Sequence, residues 1–267
     1  MVNVSRRARG VVRVGALVVA VLGLATMVSA QRFFGLLGDD VPIRNLPYDG
    51  RFTFARIKYD VGPGGYYYHG LPAWAHGYSR GEENLNSILD AISLVHPHLE
   101  GSNVFALDDP ELTKFPVAYM TEAGYWEMND REAAAFRAYL LKGGFIIFDD
   151  FRPPPRGGAG WQQFEYNMRR VLPTADIRQL QPSDPIFHSF FEIDSFDIIP
   201  QAYDGGTPII EGVYDSNDPT GRLLAVVNFN TDISQFWEFS NEGLSAVDPN
   251  NEAYKLGVNY VVYGLTH

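Results

Sequence analysis

The sequence predicts a single α/β domain, with a mostly parallel central sheet and helices on both faces. Three observations carry this expectation. Short apolar runs alternate with amphipathic helical stretches along most of the chain. One of those runs, Phe145 to Phe148, is apolar on both faces, as a strand covered on two sides must be. Two carboxylates, Asp149 and Asp150, then stand where that run ends, at the edge where open α/β sheets bind ligands.

The elements follow in order. Residues 1–30 read as an export leader. Arg6 to Arg13 form a basic region, Gly15 to Val28 an apolar one, and Val28-Ser29-Ala30 offers small residues for cleavage. The Ser5-Arg6-Arg7 triplet hints at twin-arginine export, but general secretion fits the remainder better. The alternative is a leader kept as an anchor, the one route to a membrane. Residues 31–50 are an extended lead-in with Pro42 and Pro47. Residues 51–267 form the domain.

Arg51 to Tyr59 alternates and reads as the first strand. Val61 to Gly81 is a long loop carrying Tyr66, Tyr67, Tyr68, His69, Trp74, His76 and Tyr78. Its rings suit either stacking on a sugar or peptide, or packing the loop onto the domain, and packing is preferred. Glu83 to Val95 is an amphipathic helix. His96-Pro97-His98 follows it and, without a third ligand, reads as a polar helix exit rather than a metal site. Val104 to Leu107 and Phe115 to Met120 are strands. The second ends at Thr121 and Glu122, again at the carboxyl edge.

Asp130 to Leu141 is a helix with one apolar face, capped by Asn129 or Asp130 and stopped by Gly143. After Asp149-Asp150, residues 152–160 form a Pro- and Gly-rich loop that is either a lid or a surface excursion. Trp161 to Leu172 is a helix, and its N-terminus offers a weak anion signal. Asp184 to Phe191 is a compact turn in which His188 reads as structural, with catalytic base as the minor alternative. Ile209 to Tyr214 and Leu223 to Asn228 make a late hairpin excursion. Its acidic turn lacks the order of a calcium loop. Asn228, Asn230 and Asp232 place more polar groups at a strand end, and Asn251 to Thr266 is a closing helix.

Composition narrows the chemistry. The chain has 32 acidic and 21 basic residues, and four of the basic ones lie in the leader. That balance argues against nucleic acid and anionic membrane as partners. With no cysteine, thiolate nucleophiles, disulfides and cysteine-based metal sites are excluded. No Gly-x-Ser-x-Gly elbow is present.

Several phrases resemble one family in combination: Phe52-Thr-Phe-Ala-Arg-Ile-Lys-Tyr-Asp60, Phe115-Pro-Val-Ala-Tyr-Met-Thr121, Tyr139-Leu-Leu-Lys-Gly-Gly-Phe145 with Asp149-Asp150, Pro185-Ile-Phe-His188, and Leu256 to His267. Together they resemble an uncharacterised bacterial family of exported domains of unknown function. The resemblance implies a flavodoxin-like three-layer sandwich of the class I glutamine-amidotransferase-like superfamily. There the nucleophilic cysteine follows a central strand, and the matching position here is Asp149 or Asp150. Thiol amidotransfer is therefore excluded, and no catalytic residue carries over.

The first functional expectation is a non-catalytic periplasmic or extracytoplasmic module that binds a ligand or a cell-envelope protein. Thr121, Asp149, Asp150, Arg152, Asn228, Asn230 and Asp232 would line its site. The alternative is a cysteine-free hydrolase of envelope glycan or peptide, with Asp149 or Asp150 and Glu122 as paired carboxylates. No cofactor is implied and no metal set is assigned, although Asp149, Asp150 and Asp232 could offer oxygens to Ca²⁺ or Mg²⁺.

Overall fold

A computed structural model describes residues 41, 43–67, 70–100, 102–154, 156, 158–197, 207–218, 221–243 and 246–267. The expected leader, most of the lead-in, and Tyr68 and His69 of the aromatic loop lie outside the described residues. The chain divides into two units. The large one, Pro42–Tyr67 with Pro72–His267, carries every element below. In the other, Met1–Val41 with Tyr68–Leu71, only Val41, Gly70 and Leu71 are described.

The large unit is built on a seven-stranded sheet. Its strands are β1 (Ala55–Ile57), β2 (Asn103–Phe105), β3 (Val117–Thr121), β4 (Phe145–Phe151), β5 (Ala175–Gln179), β6 (Ile209–Asp215) and β7 (Ala225–Phe229). The spatial order is β2-β1-β3-β4-β7-β6-β5. The first five in that order are parallel neighbours, and β6 and β5 complete the far edge antiparallel. The expected hairpin of β6 and β7 is thus part of the main sheet, with β7 paired in parallel to β4. Strand β5 has one buried residue in five, too little apolar signal to stand out beforehand.

Helices α1 (Arg80–Ile92), α4 (Ile233–Glu238) and α5 (Val247–Thr266) share one core with one sheet face. Leu85, Leu89, Trp237, Leu256 and Val261 pack with Val117, Tyr119 and Ile147. Helices α2 (Asp130–Leu141) and α3 (Trp161–Val171) cover the other face. There the Phe148 ring lies 4.9 Å from Phe164, 5.9 Å from Trp126 and 6.4 Å from Phe136. Ring pairs at such spacing contribute about 0.5–1.5 kcal/mol each beyond burial. The mixed α/β architecture expected from the sequence is present, and a flavodoxin-like sandwich is consistent with it.

Local signals explain the best-defined helix. Asn129 accepts from the N–H groups of Arg131 and Glu132, and Glu132 accepts from the N–H of Asn129, a complete capping box. Gly143, with φ of 111°, takes the left-handed turn that ends the helix. Strand β1 is shorter than the alternation predicts, because only Ala55–Ile57 pair with β2 and only Ala55 and Arg56 also pair with β3. Among the described residues, no helix is long and apolar enough to cross a membrane.

Candidate functional site

Four adjacent parallel strands, β1, β3, β4 and β7, each deliver one polar residue to the same end of the sheet. Glu122 follows β3 directly. Asp150 is the penultimate residue of β4. Asp232 follows β7 and begins α4. His76 follows β1 by way of the aromatic loop. Its Nδ1 donates to Glu122 Oε1 at 2.7 Å and to Asp150 Oδ2 at 2.9 Å. His76, Asp150 and Asp232 each offer one donor atom within 4.8 Å of the other two. The order of the strands reverses between β1 and β3, and this is where open α/β sheets form their crevice.

Each side chain is held by its own local device. Strand β1 carries Arg56, whose Nη1 donates to the carbonyls of Trp74 and His76 at 2.9 and 2.8 Å. Its Nε donates to Glu82 at the start of α1, and both charges are 1% exposed. A buried guanidinium thus staples the loop to the sheet and fixes the backbone of His76. The Tyr67 ring lies 5.1 Å from the imidazole. Trp74 is buried, so that part of the loop packs down as expected.

Two of the carboxylates owe their direction to unusual backbone. Glu122 and Asp150 have φ of 50° and 48°, left-handed values that non-glycine residues adopt at a cost. At Asp150 the cause is a bulge. Phe148 is in register with Val227 and Phe151 with Phe229, so β4 spends one more residue than β7. The bulge breaks the alternation of sides. Asp150 turns to His76, and Arg152 Nη2 donates to its other oxygen at 3.2 Å. Asp232 is fixed as the cap of α4. Its Oδ1 accepts from the Gln235 N–H at 2.8 Å and the Ser234 hydroxyl at 2.9 Å.

Asp149 goes elsewhere. It is 0% exposed and accepts from Tyr119 Oη at 3.1 Å, Asn228 Nδ2 at 3.1 Å, and the Ser234 and Ile233 N–H groups at 3.0 and 3.4 Å. Tyr260 in turn donates to Asn228 Oδ1 at 3.0 Å. Asp149 and Asn228 were expected to line the site. The structure makes them its floor, because four donors occupy a carboxylate with no access to solvent. Asn230 is not brought in either. Its side chain donates to the Thr207 carbonyl at 3.3 Å. Thr121 is buried at the end of β3, and its hydroxyl has no hydrogen-bond partner.

The electrostatics follow from crowding and burial. Burial, then the charge of Asp232, pushes Asp149 up to about 7. The same two causes push Asp150 well above the usual carboxylate range. Burial also raises Asp232, against the pull of His76. Burial opposes a charge on His76, but its hydrogen bonds to Asp150 and Glu122 outweigh that and push it up to about 11. One imidazolium and Arg152 stand against Glu122, Asp149, Asp150 and Asp232. Glu238, raised by burial, adds a fifth acid near His76. Beside the cluster, Tyr125 walls a cavity of about 160 Å³ with Gly62, Pro63, Glu127, Gly158 and Gln163.

Among the described residues, His98 and His188 make local contacts away from this cluster. His98 Nε2 meets Asp49 at 3.0 Å, and the carbonyls of His96 and Pro97 accept from Arg51. His188 bridges Glu192 and the Pro182 carbonyl. His76 is the site residue that the sequence reading left among the loop aromatics. The one signal for it was an arginine on an otherwise apolar strand, Arg56, which needs buried acceptors near by.

A comparison with curated proteins finds no match. The family described as Domain of unknown function (DUF4159) matches residues 53–265, from β1 to the end of α5 and therefore all four strands of the site. The chain belongs to that family.

Proposed function

We propose that this chain is a binding module that captures a positively charged ligand at the carboxyl ends of β1, β3, β4 and β7. The observation that carries the reading is the meeting of His76, Glu122, Asp150 and Asp232 from four separate segments. The excess of carboxylate there favours a cation. Strained backbone at Glu122 and Asp150 is a cost that a fold retains where the side-chain direction matters. On this reading the scaffold is amidotransferase-like with the nucleophile position occupied by acid, and it works outside the cytoplasm of a bacterium. The basic and apolar pattern of residues 1–30 supports the export step.

A second reading is a carboxylate- or metal-dependent hydrolase of envelope glycan or peptide. It is favoured by two carboxylates, Glu122 and Asp150, sharing one imidazole nitrogen. That arrangement suits proton transfer. Thermal unfolding of the full chain against divalent metals, amines, amino sugars and short peptides separates the readings. A ligand at a hundredfold excess over its Kd adds about 2.7 kcal/mol to the native state. The binding reading expects such a shift in wild type, its loss in Asp150→Asn, and no product. Product release that Asp150→Asn abolishes makes the chain a hydrolase, and no shift with any compound refutes both.

A further inference from the structure

We infer that the cation is a divalent transition-metal ion, Zn²⁺ or Mn²⁺, held by His76, Asp150 and Asp232 with Glu122 beside them. This deepens the binding reading above and rests on it. Donor atoms around one ion with bonds of about 2.1 Å lie about 3–4 Å apart. The donor atoms of His76, Asp150 and Asp232 are already within 4.8 Å of one another, and Glu122 Oε1 is 2.7 Å from the imidazole. Small side-chain rotations, with release to solvent of the proton on His76 Nδ1 as the ion binds, close that set on a single point. The sequence had suggested Asp149 as the third oxygen ligand, but Asp149 is committed to four donors beneath the site, and His76 takes its place.

The mixture of ligands selects the metal. Ca²⁺ and Mg²⁺ favour all-oxygen shells, whereas an imidazole with carboxylates suits Zn²⁺ and Mn²⁺. The surroundings meet a further requirement of metal sites, which is that the ligands be oriented from outside. Arg152 holds the second oxygen of Asp150, the Gln235 N–H and the Ser234 hydroxyl hold Asp232, and Arg56 holds the backbone of His76.

An independent observation points the same way. The Thr121 hydroxyl is 1% exposed and has no hydrogen-bond partner, although it sits one residue before Glu122. Alternation along β3 puts it on the face of Tyr119. The Arg56 guanidinium lies over that ring at 5.0 Å and binds the carbonyls of Trp74 and His76. A buried hydroxyl at that level lacks an acceptor or donor that a metal-bound water would supply. The second group of this kind, His188, Glu192 and Asp194, lies at the surface and serves as the control.

The test uses the full chain with the metal ions alone as probes. Metal content after equilibration and dialysis, the thermal midpoint, and the Mn²⁺ electron-spin signal are measured for wild type, Asp232→Asn, His76→Gln and His188→Ala. Asparagine remains a good helix cap, so Asp232→Asn keeps α4 in place. Expected are one ion per chain and a midpoint raised by about 5–10 °C at a hundredfold excess over Kd. Zn²⁺ or Mn²⁺ should act more strongly than Ca²⁺ or Mg²⁺. Affinity, read as the metal-induced shift from each variant's own metal-free midpoint, should fall at least about tenfold in Asp232→Asn and His76→Gln and stay the same in His188→Ala. An unaltered shift in both site variants, or a shift lost only in His188→Ala, overturns the inference. A shift with amines and none with metals overturns it too, while leaving the binding reading standing. No shift with either removes both.

Discussion

Asp149 and Asp150 are chain neighbours with opposite tasks. Asp149 faces the α1, α4 and α5 layer and neutralises donors that would otherwise be buried without acceptors. Asp150, reversed by the bulge, faces His76. Substitution should separate them. Asp149→Ala leaves the Tyr119 hydroxyl, the Asn228 amide and the Ser234 N–H unsatisfied. Stranded buried groups cost about 1–3 kcal/mol each, so a loss on the order of 3 kcal/mol is expected after partial relaxation. Asp150→Asn removes one of several crowded charges and should stay within about 1 kcal/mol of wild type. Urea unfolding decides the matter by a lower midpoint at unchanged slope for the first variant only. Equal losses would mean that the two carboxylates share one structural role. The adjacent pair was legible in the sequence. The division of labour was not, because a bulge leaves no mark in residue pattern.

At the scale of elements, β1 has only three residues, as short as its neighbour β2, and yet it positions the loop that carries His76. Three residues suffice because Arg56 extends its reach with bonds to Trp74 and His76. The guanidinium depends on Glu82, one of whose carboxylate oxygens is itself buried without a partner. Removing one member of a buried ion pair strands the other charge, at about 3–5 kcal/mol. Arg56→Ala is expected to destabilise by that amount and to weaken binding at His76 as well. Arg56→Met combined with Glu82→Leu should recover much of the stability, since both charges leave together, but not the binding. Chemical unfolding beside ligand titration checks this. Recovery of both in the double variant would mean that the clamp has no part in the site. Helix α2, by contrast, was readable in extent, with the cap narrowed to Asn129 or Asp130, since its cap, apolar face and glycine stop are all local.

Across the whole molecule, the buried charges give stability a definite pH dependence. Asp149 is raised from its ordinary 3.8 to about 7, with Asp150 and Asp232 raised beside it. A carboxyl raised on folding binds its proton more tightly in the native state, so stability falls as pH rises from about 4 to 7. His76, raised from 6.5 to about 11, stabilises fully below 6.5, and that contribution is lost as pH climbs to 11. Both effects have the same sign. Unfolding free energy should therefore decline steadily from pH 5 to pH 9, and Asp232→Asn should flatten the acid part of the decline. A maximum near pH 8 would show that the acids ionise freely in the folded chain.

Local pattern was enough for the fold class, most of the strands and helices, the absence of thiol chemistry, and the sheet edge at which to look. These follow from periodicity, capping and composition, which neighbouring residues express by themselves. The meeting of His76 with Glu122, Asp150 and Asp232 belongs to the folded sheet alone. It arises from strand order, a one-residue bulge and an arginine clamp, and each of these joins residues far apart in the chain whose contact no local preference records.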